Sequence, residues 1–260
     1  MKRKPLILVT NDDGIAAPGI KTLVEIAREI GEVVIVAPDS PQSAKGHAIT
    51  ISSPIRLREV DVFEGLTAYE CSGTPVDCVK LAKFVVLKER QVDLCISGIN
   101  HGSNASINIL YSGTVSAAME ASLEGINSIA FSLLDFSWEA DFEPAKTYIR
   151  KILQQVLKKG MPEDCKLLSI NIPKLPFDKI KGIKVCRQAE GRWEEEFHEA
   201  KDPQGVPYYW LTGEFRLDED KEDNDIWALE QGYISVVPSG HDLTVHQALG
   251  KLRYLETETD

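Results

Sequence analysis

The segment LILVTNDDGIAAPGIKTLVEIAREIGEVVIVAP, residues 6–38, carries the clearest fold signal in the chain. Two short, largely apolar runs at residues 6–10 and 33–37 are typical of buried strands. An amphipathic helix is predicted between them, because apolar residues recur at helical spacing at Leu23, Ile26, Ala27 and Ile30. Pro18 suits the first turn of this helix and Gly31 the position just after it. A strand–helix–strand unit of this kind predicts an α/β fold with a parallel sheet and right-handed crossovers.

The same pattern continues through the N-terminal half. Buried strands are predicted at residues 92–97 and 129–134. Residues 47–60 alternate as a strand does, and residues 68–71 are expected to pair with them antiparallel, as an insertion into the parallel unit.

Two helix starts are visible in this half. Thr74 can cap a helix whose first position is Pro75 and whose capping-box acid is Asp77, with an end near Lys88. Ser112 can cap a second helix, which the pattern extends to Gly125.

The pattern changes after Asp135. A long amphipathic helix is predicted at residues 143–159, followed by Gly160 as a stop. The acidic run DEDKEDND, residues 218–225, lacks the glycine that an EF-hand loop needs and is expected to be a solvated loop. The other elements predicted here are strands at residues 167–172, 183–187, 208–215 and 233–237, and a short helix at residues 227–231.

Composition and charge narrow the range of ligands and partners that the protein is expected to bind. The chain has 260 residues, with 29 Lys and Arg against 40 Asp and Glu, so its formal net charge is −11. This charge disfavours a stable nucleic-acid complex and binding to an anionic membrane surface. No stretch reaches the roughly 18 apolar residues of a membrane span. A small phosphorylated ligand held at one local site is compatible with all of this.

The cysteines and the N-terminus predict a cytoplasmic protein. The five cysteines are odd in number and contain no CxxC pair, which favours buried thiols in a reducing compartment. The apolar run that begins at Leu6 is too short for the h-region of a signal peptide. The cysteines are Cys71, Cys78, Cys95, Cys165 and Cys186.

Oxygen-bearing side chains follow three of the predicted strands. Because ligands of open α/β sheets bind beyond the carboxyl ends of parallel strands, these side chains are expected to meet at one edge. They are Asp12 and Asp13 after the first strand, Asp39, Ser40 and Ser43 after the second, Asn100 and Asn104 after residues 92–97, and Ser112, Gly113 and Thr114 at the next helix start.

A divalent cation would explain the acidic pair. The adjacent carboxylates of Asp12 and Asp13 repel each other unless a cation neutralises them. The oxygen-rich neighbours favour Mg²⁺ or Mn²⁺ over zinc. Asp and Gly are also the usual residues of a plain turn, so the ordinary-turn interpretation stays open at this point.

The segment YSGTVSAAMEASLEG, residues 111–125, is the candidate phosphate-binding element. Its turn would aim free backbone N–H groups and the positive helix end at an anion. An ordinary capped helix packed into the core is the alternative, and the two interpretations are compatible. NDDGIAAPG is not a GxGxxG dinucleotide motif, and the chain contains no GxxxxGK[ST] loop.

A few other residues are weaker candidates. His47, His101 and Lys45 fall near the predicted site, and His101 is one candidate, beside water, for the acid that protonates a leaving group. Four aromatic residues in the C-terminal half favour a subunit interface over simple strand packing: Trp193, Tyr208, Tyr209 and Trp210.

With these motifs in view, the chain resembles the SurE family, the stationary-phase survival proteins that act as metal-dependent nucleotidases. The resemblance runs nearly end to end. It rests on LVTNDDGIAAPGI, VAPDSPQSAKGHAIT, SGTPVDCV, SGINHGSN and YSGTVSAAMEA, and on GYISVVP followed by DLT. The chain departs from many members at residues 40–42, Ser-Pro-Gln, where those carry a basic residue, and at the SGH that precedes DLT.

The resemblance implies a fold, an assembly and a division of the chain. The fold is a Rossmann-like three-layer α/β/α core with a mostly parallel sheet. A C-terminal β-hairpin and tail would serve oligomerisation, as homodimer or homotetramer. Residues 1–260 are then expected to form one α/β domain, in which residues 1–135 bind metal and phosphate and residues 136–260 complete the sheet and supply the protruding segments.

The resemblance also implies a site. It places one divalent metal ion per subunit on Asp12, Asp13, Ser43 and Asn100, and phosphate binding on Asn104, Ser112, Gly113 and Thr114. Asp12, Asp13 and Asn104 are the expected catalytic residues. The implied reaction is hydrolysis of nucleoside 5′- and 3′-monophosphates, with short polyphosphate as a further substrate in some members. Two rivals are a non-catalytic, metal-dependent nucleotide sensor and a phosphodiesterase, which the net charge of −11 disfavours.

Overall fold

The strand–helix–strand unit at the N-terminus forms as predicted. The structure is a computed structural model that describes residues 3–257. In it β1 (Leu6–Thr10) and β2 (Glu32–Pro38) are neighbouring parallel strands connected by α1 (Pro18–Ile30). Pro18 occupies the first turn of α1, and the N–H of Gly31 donates to the carbonyl of Ala27 at 3.0 Å.

Nine strands from both halves of the chain build one sheet. After β1 and β2 the chain forms further strands, of which β9 and β10 lie outside this sheet. They are β3 (Leu57–Glu59), β4 (Thr67–Cys71), β5 (Leu94–His101), β6 (Ser128–Leu133), β7 (Leu167–Ile172), β8 (Gly182–Val185), β9 (Gly191–Lys201), β10 (Pro207–Leu217) and β11 (Tyr233–Ser239). The sheet order is β3-β4-β2-β1-β5-β6-β7-β11-β8. Only the β3–β4 and β7–β11 pairs are antiparallel, so the predicted, mostly parallel sheet is confirmed.

The helices cover both faces of this sheet. They are α1, α2 (Pro75–Leu81), α3 (Gly113–Leu123), α4 (Glu143–Lys159), α5 (Asp225–Glu230) and the short α6 (His246–Leu249). One core cluster joins Ile7 and Val9 of β1 to residues of α1 and α4, whereas Leu8 belongs to a second cluster with α2 and α3. Because neighbouring side chains of a strand point to opposite faces, β1 is buried on both faces, which explains the continuous apolar run of Leu6–Val9.

The caps predicted at Thr74 and Ser112 are confirmed, and so is the long helix predicted at residues 143–159, which is α4. The N–H of Asp77 donates to Thr74 Oγ1 at 3.2 Å, and the N–H of Thr74 donates to Asp77 Oδ2 at 2.9 Å. Beyond α2 the chain continues as a π-helix over Ala82–Leu87. Ser112 Oγ accepts the N–H of Val115 at 3.1 Å and caps α3.

The strand prediction for residues 47–60 is mostly wrong. Only Leu57–Glu59 is a strand, and Ile49 and Ile51 are 49% and 83% exposed, so their alternation covers no core. The antiparallel pairing with β4 is confirmed, but β4 also pairs in parallel with β2. It therefore extends the main sheet and is not an insertion.

The acidic run is also different from the expected solvated loop. Arg187 donates to Glu219 Oε2 at 2.6 Å and to Asp223 Oδ1 at 2.7 Å. Asn224 is fully buried and caps α5 by accepting the N–H of Trp227 at 2.8 Å. Long-range pairing with one arginine thus orders a segment whose composition alone predicts solvation.

β9 and β10 form a separate antiparallel hairpin that leaves the sheet. The sequence predicts β10 approximately but misses β9, because RWEEEFHEAK is strongly charged and lacks the pattern of a half-buried strand. All five cysteines are free, and four of them are buried. Within residues 3–257, no helix combines the length and apolarity needed to cross a bilayer.

Candidate active site

A cavity of about 530 Å³ lies beyond the carboxyl ends of β1 and β5. Six of the predicted site residues line it: Asp12, Asp13, Ser43, Asn100, Asn104 and Ser112. Gly113 and Thr114 lie against Asp12 instead of lining the cavity. The structure therefore brings these six residues together at one edge of the sheet, as predicted.

Asp12 is buried and tightly held. It is 4% exposed, and the hydroxyl of Thr114 donates a hydrogen bond to its Oδ1. A Cβ on Gly113 would lie 2.7 Å from the Cβ of Asp12, so only glycine fits there. Burial, with a smaller contribution from the neighbouring Asp13 carboxylate, raises the pKa of Asp12 from 3.8 to about 7.

Asp13 completes the acidic pair. Burial raises its pKa, and the His101 side chain partly offsets this shift. Its Oδ2 is buried and has no hydrogen-bond partner among the described residues. A buried carboxylate oxygen without a donor is costly unless a cation or a water completes its coordination.

The loop after β2 and the end of β5 supply neutral oxygens beside the pair. The N–H of Gln42 donates to the Asp12 carbonyl at 2.8 Å, which ties the loop after β2, with Ser43, to the end of β1. Asn100 lies where the β5–β6 register shifts, and its Nδ2 donates to the Gly102 carbonyl at 2.9 Å. Its Oδ1 is then the atom that it can offer as an acceptor in the cavity.

Asn104 is fixed by two residues that sequence reasoning missed. Its Nδ2 donates to Ser132 Oγ at 2.8 Å, and its backbone N–H donates to Asn171 Oδ1 at 2.8 Å. Both partners are buried in β6 and β7. A polar residue inside an otherwise apolar strand is the sequence signal that would have indicated them.

The donor set fits a hard divalent cation. It consists of two carboxylates with neutral hydroxyl and amide oxygens, the ligands that Mg²⁺ and Mn²⁺ prefer. Across residues 3–257, no group of three or more His, Cys, Asp or Glu is placed to hold a metal. Asp13 Oδ2 has no hydrogen-bond partner among the described residues, and a cation bound here would complete its coordination.

His101 lines the cavity, in a restrained position. Its Nδ1 lies 2.7 Å from the Ser137 carbonyl, and its ring stacks on Trp138 with centroids 5.4 Å apart. Nε2 is buried and has no hydrogen-bond partner in the described part of the chain. A proton carried on Nδ1 would make this contact a hydrogen bond and leave Nε2 as the free ring nitrogen.

The structure does not bring every candidate to the cavity. His47 Nε2 contacts Glu120 at 2.8 Å and lines a different cavity. Asp39 accepts the Ser40 hydroxyl at 2.8 Å, also outside the site. Lys45 is exposed and does not line the cavity either. These residues follow β2 in sequence, but the loop directs only Ser43 and Ala44 inward.

Aromatic residues that were not predicted for this site line its rim: Tyr111, Phe136, Trp193 and Phe215. Trp193 and Phe215 come from the hairpin, and Trp193 Nε1 donates to Asn108 Oδ1 at 2.8 Å. Trp193 thus belongs to the site, whereas Tyr208, Tyr209 and Trp210 remain exposed farther along the hairpin. Of the four aromatic residues predicted for a subunit interface, the fold therefore places one at the cavity and three away from it.

Known proteins share both the sequence and the fold. The family model described as "Survival protein SurE" matches residues 7–195. Proteins named 5′-nucleotidase SurE from Flavobacterium psychrophilum and Cytophaga hutchinsonii are 59% and 57% identical, with 96% of each chain covered. The crystal structure of Sure protein from Aquifex aeolicus is 41% identical, covers 97% of this chain and 100% of its own, and superimposes with a TM-score of 0.84.

Proposed function

This chain belongs to the SurE family of metal-dependent nucleotide phosphatases, and we propose that its cavity at the ends of β1 and β5 is the centre that hydrolyses nucleoside monophosphates. The enzyme is a phosphoric monoester hydrolase, as its curated relatives are. The observation that carries the assignment of the site is the Asp12–Asp13 pair, in which Asp12 is buried and the buried Oδ2 of Asp13 has no partner among the described residues.

We assign the cation to Asp12, Asp13, Ser43 and Asn100. When bound there, a divalent cation supplies polarisation of the phosphoryl group and a lowered pKa for a coordinated water. The two carboxylates balance its charge, so the site remains near neutral and accepts an anionic phosphate. Mg²⁺ or Mn²⁺, one per subunit, suits the oxygen-only donor set.

The remaining residues hold and orient the phosphoryl group. Asn104 is braced by Ser132 and Asn171, so its amide can act without first losing side-chain freedom. Ser112 lies at the N-terminal end of α3, where backbone N–H groups and the positive helix end favour an anion. Gly113 and Thr114 act indirectly, by holding Asp12 in position: Gly113 packs against its side chain and the Thr114 hydroxyl donates to its carboxylate.

During the reaction, a water attacks phosphorus and the bond from phosphorus to the ester oxygen breaks. The leaving oxygen takes up a proton, for which His101 and water are the two candidate donors. His101 is held against Ser137 and Trp138, so its ring has a fixed orientation at the wall of the cavity.

Phosphate release tests this assignment. Wild type is assayed with 5′- and 3′-nucleoside monophosphates and short polyphosphate, after chelation and again after addition of Mg²⁺ or Mn²⁺. Release should disappear with chelator and return with metal, and Asp12→Asn should nearly abolish it. Asp178→Asn, at an exposed carboxylate that does not line the cavity, is the matched control. Nucleotide binding without turnover under every metal would make the protein a sensor and refute catalysis.

We also propose that the protein is a homodimer or homotetramer that assembles through its C-terminal segments. Exposed apolar side chains on the hairpin and tail support this, among them Phe197, Trp210, Leu243 and Tyr254. Light scattering of wild type and of a Phe197→Ser, Trp210→Ser double variant tests it. An unchanged mass in the variant would exclude the hairpin from the interface.

Two broader assignments accompany this proposal. Residues 1–260 form one α/β domain, with residues 1–135 binding metal and phosphate. The sheet that draws strands from both halves supports the single domain. The five free thiols support a reducing, cytoplasmic location.

A further inference from the structure

A second cavity, of about 430 Å³, adjoins the candidate active site beside the hairpin. Ala44, Tyr111 and Trp193 line both cavities and form their common wall. The active-site cavity holds the acidic pair and the amides, whereas the other walls of the second cavity come from β10 and from Glu195 of β9. A ligand with an anionic end and a flat end can therefore extend from one compartment into the next.

The common wall presents two aromatic side chains. Trp193 and Tyr111 are 41% and 53% exposed, so each ring has a surface available for stacking. Bases stack on aromatic rings of this kind with little dependence on sequence. The apolar part of the second cavity includes Leu211, which is 58% exposed and would lose water contact when a flat ligand covers it.

The Trp193 ring and the Tyr111 backbone are anchored before any ligand arrives. Trp193 Nε1 donates to Asn108 Oδ1 at 2.8 Å, and its ring meets Phe215 edge-on with centroids 5.9 Å apart. The N–H of Tyr111 donates to the Asn108 carbonyl at 3.1 Å, and its carbonyl accepts the N–H of Gly46 at 3.3 Å. Anchoring of this kind reduces the conformational entropy that is lost on binding.

We propose that the second cavity is the nucleobase subsite, in which the base stacks on Trp193 and Tyr111. This inference rests on the proposed function, because the active-site cavity sets where the phosphate lies. It assigns the hairpin a part in substrate selection, beyond the assembly role proposed for its exposed end.

Glu195 is the polar side chain that sets the nucleobase preference of this subsite. Its cross-strand neighbour is Gly213, which has no side chain to cover it. A Cβ at Gly213 would meet the Glu194 carbonyl oxygen at 2.6 Å, so the gap beside Glu195 is built into the hairpin. An ionised carboxylate only accepts hydrogen bonds. Guanine offers adjacent N1–H and 2-amino donors, whereas uracil flanks its single N–H with two carbonyl oxygens, so Glu195 favours guanine.

Steady-state kinetics of the metal-loaded enzyme test the stacking. We compare kcat/KM for 5′-GMP with kcat/KM for ribose 5-phosphate, which has no base. Trp193→Ala should lower this ratio roughly tenfold or more, given the usual strength of base stacking. Trp193→Phe keeps a ring, and Phe84→Ala removes an exposed aromatic ring that lines neither cavity, so both should keep the ratio within about twofold. An equal loss on both substrates, or none, would overturn the subsite.

A second variant tests the base preference. Glu195→Gln keeps the size of the side chain and adds a donor, so the preference for 5′-GMP over 5′-UMP should fall several-fold. An unchanged preference would remove Glu195 from the proposal.

Tryptophan fluorescence separates failure of the subsite from failure of the proposed function. Titration with 5′-GMP should quench wild type and Trp210→Phe, but quench Trp193→Phe much less, whether or not phosphate is released. Quenching without turnover would retain the subsite and refute the phosphatase assignment. Turnover with equal quenching in all three proteins would retain the phosphatase assignment and refute the subsite.

Discussion

Thr114→Val isolates the contact that holds Asp12. Thr114 is fully buried, and its hydroxyl donates to Asp12 Oδ1. Valine has nearly the same shape, so the substitution removes the donor and leaves the packing in place. The buried carboxylate then has one fewer partner when it is required in its charged form.

The size of the effect follows from the type of bond. A hydrogen bond to a charged group contributes about 1.5–3 kcal/mol. Since 1.36 kcal/mol corresponds to a factor of ten, metal affinity should weaken by roughly 10- to 150-fold. Loss of a residue that supports a metal ligand typically costs 10- to 100-fold, which agrees with this range. Thr114→Ser keeps the hydroxyl and should stay within a few-fold of wild type.

The assay is a titration of chelated enzyme with Mn²⁺, followed by phosphate release from a nucleoside monophosphate. The apparent metal affinity should fall in Thr114→Val, and most of the turnover should return at saturating metal, because Thr114 positions a ligand. Circular dichroism and thermal unfolding control for the fold. Wild-type metal affinity in a folded Thr114→Val protein would refute the proposed role of this contact.

Three further perturbations have defined outcomes. Gly113→Ala places a Cβ 2.7 Å from the Cβ of Asp12, and the resulting displacement should lower kcat/KM at least about 100-fold in a phosphate-release assay; activity near wild type would show that Asp12 tolerates movement. His101→Asn should slow release from a 5′-nucleotide far more than from p-nitrophenyl phosphate, whose leaving group needs no proton, and equal slowing of both would exclude His101 as the acid. Hydrogen bonds from Arg187 lower the pKa of Glu219 from 4.5 to about 2, so this pair stabilises the fold above pH 4.5 and the stabilisation is lost as pH falls from about 4.5 to about 2. The Tm difference between wild type and Arg187→Gln should therefore be largest near neutral pH and shrink towards pH 2, and a difference that does not depend on pH would contradict the ion pair as its cause.

The sheet core and the ligand edge follow from local patterns. The apolar runs of β1 and β2, the helical spacing of α1 and the capping box at Thr74 are all short-range signals, and each corresponds to an observed element. Because parallel strands end at a common edge, the same patterns place Asp12, Asp13 and Asn100 near one another without knowledge of the register.

Prediction fails where the partner is distant in sequence. The alternation at residues 47–60 is real, but alternation forms a strand only where a neighbouring strand and a core accept it, and Ile51 faces solvent there. The acidic run at residues 218–225 looks solvated because its composition does not show that Arg187 pairs with it across 32 residues of sequence.

The amino-acid sequence by itself determined the α/β layering, the helix starts and which oxygen-bearing side chains follow the strands, because periodicity, capping and residue chemistry act over a few positions. Only the tertiary structure decided how the site is supported and bordered. Asn171 reaches the backbone of Asn104 across 67 residues, and Asn108 accepts from Trp193 across 85. Such contacts depend on strand order and on the path of a hairpin that leaves the sheet, and no local pattern encodes either of them.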